Sequence, residues 1–195
     1  IAGYELTFDD LNAHSWTTYT NADPFFMGPQ FDSYIRDENF DGYQMLNAVY
    51  VSMETQLPED FVLTYGARYT WVKTDMDTKN NKDGGTTVNK NGSDGKLVFN
   101  AGVLWHGTDN LTLRASYAQG YRSPILQELY IDTNMGSNDI TYANPDLKPE
   151  TSDNFEIGAR WNSKGLSADL AIFYSLADDY IATLYNAQKR GYQYS

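Results

Sequence analysis

From Leu111 to Tyr117 the sequence alternates without a break: Leu111, Leu113, Ala115 and Tyr117 fall on one side of an extended chain, and Thr112, Arg114 and Ser116 on the other. Successive side chains on a strand point to opposite faces, so this segment must lie between two unlike environments. The pattern recurs. Phe61, Leu63, Tyr65, Ala67, Tyr69 and Trp71 share a face opposite Thr64, Gly66, Arg68 and Thr70. Leu97 to Trp105, Asn154 to Trp161, Ala2 to Phe8 and Leu166 to Tyr174 repeat it. A seventh segment, "MLNAVYVSMETQ", reads as a strand whose faces do not separate.

Composition limits what the two environments are. No run of about 18 apolar residues occurs, which excludes a transmembrane helix, and the start "IAGYELTFDD" lacks a basic and apolar leader. A membrane barrel is not excluded, because its lipid face uses every second residue and mean hydropathy stays low. The formal net charge of −12 offers no basic stripe for nucleic acid, and the absence of Cys removes disulfides and thiolate metal sites. With 195 residues, 41% of them hydrophobic, one domain or two small ones are possible.

The connections alternate between short and long. Short links surround Pro58, Gly107 and Gly165; long ones run from about Thr17 to Tyr43, from Asp77 to Gly95 and from Arg122 to about Glu150. Tight turns at one end and long loops at the other describe an outer-membrane barrel, with periplasmic turns and external loops. Trp105 and Trp161 then fall at the periplasmic interface and Tyr69 and Trp71 at the outer one, as aromatic girdles. Glu5, Arg68, Arg114, Glu156, Arg160 and Asp169 all lie on polar faces, where a wet or plugged lumen hydrates or pairs them. The expected fold class is all-β, an antiparallel up-and-down transmembrane β-barrel. "RGYQYS" reads as the start of an eighth strand, and an open edge cannot face lipid, so residues 1–195 are expected to be part of a larger barrel. A soluble antiparallel sheet is the competing reading of the alternation.

"YRSP" (Tyr121 to Pro124), "LQELY" (Leu126 to Tyr130) and "NPDLKPETSDNFEIGARW" (Asn144 to Trp161) resemble the middle barrel region of TonB-dependent outer-membrane receptors, energised importers of iron chelates. The boxes are carried by Tyr121, Arg122, Pro124, Asn144, Pro145 and Leu147. The resemblance implies a bacterial outer-membrane barrel of about 22 strands around an amino-terminal plug. It implies coupling to the TonB-ExbB-ExbD complex through a segment before the plug, and contact with outer-membrane lipid and lipopolysaccharide. Plug, contact segment and remaining strands are not recognisable in this chain. On a physical reading, Pro124, Pro145 and Pro149 stiffen the crossing, Arg122 pairs with Glu150 or Glu128, and Pro124, Asn144 and Pro145 serve loop folding rather than cargo.

The resemblance leaves the cargo as a ferric siderophore or haem. In the haem-importing branch similar boxes flank a loop that supplies an axial His, and Ile125 to Ala143 contains none, although Tyr130, Tyr142 and Met135 are present and Tyr can also hold ferric haem. His106 reads as a turn residue; His14 lies near the outer end of the first strand. A siderophore, met by aromatic rings and Arg at the mouth, fits Tyr34, Arg36, Tyr121, Arg122, Tyr130 and Tyr142, with Tyr19, Phe25 and Phe26 nearby. Asp32, Asp37, Glu38 and Asp41 would repel an anionic cargo or hold Ca2+, and the metal question stays open. No cofactor is expected, and no catalytic constellation points to an enzyme. The alternatives are a passive porin-like channel and a soluble β-rich glycan-binding module.

Overall fold

The computed structural model describes residues 1–19, 34–81, 86–134, 140–189 and 191–195. Five strands, β1 (Ala2–Tyr19), β2 (Tyr34–Leu57), β3 (Phe61–Asn80), β4 (Thr86–Thr108) and β5 (Leu111–Arg122), each pair antiparallel with the next. A crossing follows, with a one-turn helix α1 (Leu126–Tyr130) and two short strands, β6 (Thr133–Asn134) and β7 (Ile140–Tyr142). Strands β8 (Glu150–Ser163) and β9 (Leu166–Asp178) complete a seven-stranded sheet in the order β1-β2-β3-β4-β5-β8-β9. The chain ends in β10 (Thr183–Asn186) and β11 (Gly191–Tyr194).

Register turns the alternations into continuous rows. One row runs Met53, Tyr65, Ala101, Tyr117, Phe155 and Tyr174, each directly opposite the next. The next runs Thr55, Leu63, Val103, Ala115, Ile157 and Ile172. Phe99, Ile157 and Leu170 on this face are 50%, 59% and 69% exposed, which suits a surface wetted by lipid and not a packed core. The same register settles the unreadable strand: Met53, Val51 and Val49 of β2 lie on the apolar face.

The opposite face carries mutually paired charges. Arg68 bonds Glu5 at 3.0 Å, Arg114 bonds Glu156 and Asp169 at 2.9 Å each, and Arg160 bonds Asp169 at 2.7 Å. Gly158 lies directly opposite Arg114, and a Cβ there would stand 2.6 Å from its Cζ, so only glycine lets the guanidinium lie flat on the wall. The short links turn through left-handed backbone at Glu59, Asp60 and Gly165. Rings stack at the two apolar limits, Phe61 with Trp105 at 5.8 Å and Tyr69 with Trp71 at 5.8 Å.

Three expectations change. Among the described residues, the links from Thr17 to Tyr43 and from Asp77 to Gly95 are strand apart from Asn81: β1 runs to Tyr19, β2 starts at Tyr34, and β3 and β4 pair out to Asn80 and Thr86. A membrane strand needs about 9–11 residues, so β2, β3 and β4, with 24, 20 and 23, stand well above the apolar band. The ladder continues there, and on β3 Thr74 and Met76 are buried on the lumen face. Third, "GYQYS", the described part of the expected eighth strand, does not join the main sheet. β9 has reached the outer side by Asp178, Asp179 turns left-handed, and β11 pairs with β10 and, parallel, with β7. Phe26, Gly84 and Met135, expected at the outer rim, lie outside the described residues, as do Phe25 and Asp32.

Candidate functional site: the outer mouth

Above the apolar band the polar face becomes apolar in one place. Phe40 and Met76, both buried, and the partly buried Leu11 and Ala13 are off-phase with the lipid face and receive Leu126 of α1. Leu129 and Pro124 are also buried. The crossing is thereby folded onto the lumen side of β2 and β3, where the Gln44 amide donates to the Pro124 carbonyl at 2.9 Å. The rows of off-phase apolar residues were the available signal for this contact.

The box residues fix the crossing. The Arg122 guanidinium donates through Nε and Nη2 to Glu150 at 2.6 and 3.1 Å, and through Nη1 and Nη2 to Glu128 at 3.1 Å each. Both carboxylates expected as alternatives are engaged together. Glu128 also accepts from the Ile125 amide at 3.0 Å, and Glu150 from the Ile181 amide at 2.7 Å. The Asn144 amide donates to the Glu128 carbonyl at 2.9 Å, its side chain donates to the Tyr194 carbonyl at 3.0 Å, and the Leu147 amide closes a turn on the Asn144 carbonyl at 3.4 Å. Tyr121, half-buried, donates its hydroxyl to Asp94 at 2.8 Å.

Tyr130 faces β4 across a cleft of about 420 Å³, whose lining includes Glu38, Phe40, Lys90, Asp132 and Pro145. The Lys90 ammonium stands 5.8 Å from the Tyr130 ring centroid, and the Tyr130 hydroxyl is 3.4 Å from Thr74 Oγ1. Tyr142, on β7, donates to the Lys189 carbonyl at 3.1 Å, with the Lys189 ammonium 5.1 Å from its ring. Lys90 lies in the link from Asp77 to Gly95 that the sequence presents as loop. Tyr34 and Arg36 belong to the outer end of β2, paired with Tyr19 and Thr17. The structure therefore brings Tyr121, Arg122 and Tyr130 around one crossing, with Tyr142 on the neighbouring small sheet.

His14 meets Asp37 at 2.7 Å, and Asn81 donates to the same carboxylate oxygen at 2.9 Å. Asn81 first and His14 second hold the Asp37 carboxyl below its ordinary range. His106 meets Thr112 at 3.3 Å beside a bulge near the short turn. Among the described residues no group of three or more His, Cys, Asp and Glu is arranged to hold a metal ion.

The family profile described as "TonB dependent receptor-like, beta-barrel" matches residues 2–195. The chain belongs to the TonB-dependent receptor barrels. It is 32% identical over 131 residues to an iron-regulated outer membrane virulence protein of Vibrio cholerae, covering 66% of this chain and 17% of that protein. It is 37% identical over 91 residues to a hemin receptor of Yersinia enterocolitica, covering 39% of this chain and 13% of that one. The receptor barrel thus spans under a fifth of the length of these relatives. Among solved structures, the hemophore receptor HasR of Serratia marcescens, in complex with its hemophore and heme, superposes with a TM-score of 0.63 over 94% of this chain and 35% of that one, at 17% identity. A copper transporter does so at 0.62 over 100% and 30%, at 18% identity. At such identities the likeness speaks for the fold. The TonB-dependent receptor barrel is an outer-membrane protein, and its apolar rows face the bilayer.

Proposed function

We propose that the chain is the central barrel portion of a receptor that imports an iron chelate, a ferric siderophore in the first place, into the periplasm. Family membership supports TonB-coupled uptake, with energy arriving from the TonB-ExbB-ExbD complex through a plug that blocks the lumen. The observation that carries the siderophore reading is the cleft between β4 and α1, where an ammonium and a phenol ring meet beside an apolar floor. A ferric chelate presents flat ligand surfaces and negative oxygens that such groups receive. Tyr130 and Tyr142 are the proposed cargo contacts, with Tyr34 and Arg36 at the outer end of β2.

Haem is the second reading, favoured by the hemin receptor of Yersinia enterocolitica among the relatives. Uptake of 55Fe-labelled catecholate and hydroxamate chelates and of haem by cells carrying the full-length receptor, with and without TonB, separates the readings. Tyr130→Ala should weaken uptake of the true cargo about tenfold, as expected for loss of about 1.4 kcal/mol of binding. Uptake indifferent to TonB would remove the energised mechanism and favour a passive channel.

A further inference from the structure

We propose that Tyr121 and Arg122 form a two-sided clasp that positions the walls of the mouth, and that neither contacts cargo. The proposal rests on the cleft being the cargo site. β4 pairs with β5 only between Thr108 opposite Leu111 and Asn100 opposite Ala118, whereas it pairs with β3 all the way to Thr86. From Phe99 outward, the β4 edge facing β5 has no ladder partner among the described residues. Two side chains of β5 span that seam: Gln119 Oε1 accepts from the Phe99 amide at 3.3 Å, and the Tyr121 hydroxyl donates to Asp94 at 2.8 Å. The other Asp94 oxygen accepts from the Gly95 amide at 2.7 Å, which orients the carboxylate toward the seam.

Neighbouring residues on a strand point to opposite faces, so Arg122 reaches the lumen side while Tyr121 reaches the seam. Arg122 commits four guanidinium contacts to Glu128 and Glu150, which joins the end of β5 to α1 and to the start of β8. Through the Ile181 amide on Glu150 it also joins the segment leaving β9. Lys90 sits on the strand that Tyr121 fastens, and Tyr130 on the helix that Arg122 fastens. To the β3–β4 ladder and the seat of α1 on Phe40 and Met76 the dipeptide therefore adds one further fastening for each wall, with the Tyr121 hydroxyl proton and four of the five Arg122 N–H donors engaged. Its engaged donors serve positioning.

The test uses the full-length receptor, with assembly checked by its heat-modifiable mobility. Spin labels at Thr87 and Gln127, both exposed, report the distance between the β4 wall and α1 by pulsed electron paramagnetic resonance without any cargo. Tyr121→Phe, Asp94→Ala and Arg122→Gln should each broaden that distance distribution, and Arg122→Lys should restore part of it. Binding of 55Fe-labelled catecholate and hydroxamate chelates and of haem should fall about tenfold in Tyr121→Phe for the accepted cargo. The Tyr121→Phe/Asp94→Ala double variant should bind no worse than either single one, because both remove the same bond. An unchanged distance distribution in all variants, or a further loss in the double variant equal to that in the native background, overturns the clasp. If the distances broaden while no chelate binds the native receptor, the cargo reading fails and the clasp stands.

Discussion

Placing an arginine at Phe99 tests the lipid face by depth. Phe99 is 50% exposed and lies in the apolar rows, opposite Ala67, six residues along β4 from Trp105 at the periplasmic girdle. At about 3.4 Å per residue and a tilt of about 45°, six residues climb about 14 Å, close to the middle of a band about 25 Å tall. Phe99→Arg should then cost about 2–4 kcal/mol. Val103, two residues from Trp105 on the same face, lies only about 5 Å inside the band by the same arithmetic, and Val103→Arg should cost about 0–1 kcal/mol. The difference of about 2 kcal/mol is about thirtyfold in the folding equilibrium. Asn100→Arg, one residue away but on the lumen face opposite Gly66, should resemble Val103→Arg. Denaturant-dependent folding of the full-length receptor into phospholipid vesicles, read by tryptophan fluorescence and heat-modifiable mobility, measures all three. Equal costs at Phe99 and Asn100 would refute the two-environment reading of the sheet, and equal costs at Phe99 and Val103 would refute the assigned depth.

Phe40→Ala should remove much of the apolar floor under Leu126 at a cost of about 3–5 kcal/mol, releasing the crossing first; limited proteolysis between Arg122 and Glu150 on intact cells reads it. Gly158→Ala should push Arg114 off the wall and cost about 1 kcal/mol, given that its acid partners are partly exposed; equal stability of the native and variant receptors in the vesicle assay would contradict the packing. The Asp37 carboxyl is depressed in the folded state, so its contribution is present above the ordinary carboxylate range and is lost as pH falls through the lowered value. The hydrogen-exchange protection of residues 37–39, taken relative to the intrinsic rate at each pH, should fall on acidification, at a higher pH in Asn81→Ala than in the native receptor. An impermeant thiol reagent on intact cells should label Thr87→Cys and spare Gly107→Cys, the reverse result inverting the topology.

The rows of the lipid face were legible because lipid on one side and water on the other force opposite chemistry onto successive residues. β2 was unreadable for the converse reason: its lumen-side Ala48 is fully buried, and Phe40 is covered by α1, so apolar residues occur on both faces. The outer parts of β3 and β4 looked like loop because "KTDMDTKN" and "TTVNKNGSDGK" are mostly polar on both faces, Thr74 and Met76 being covered by the crossing all the same, and backbone hydrogen bonds leave no trace in side-chain periodicity. In the mouth, the Arg122 pairing followed from charge and spacing along the crossing. The bond from Tyr121 to Asp94 did not, since it depends on where β5 stops pairing with β4.

That stopping point has a mechanical meaning. β3 continues nine residues from Trp71 to Asn80, so with β4 it makes a beam about 30 Å long, rooted near the outer girdle and braced by a full strand on the β2 side alone. Among the described residues its other edge is held by β5 only near the root, where Tyr121 bonds Asp94 opposite Val72. A tilt of about 5° at the root would displace the tip by about 2.6 Å over that length, which is comparable to the width of one atom layer of a ligand.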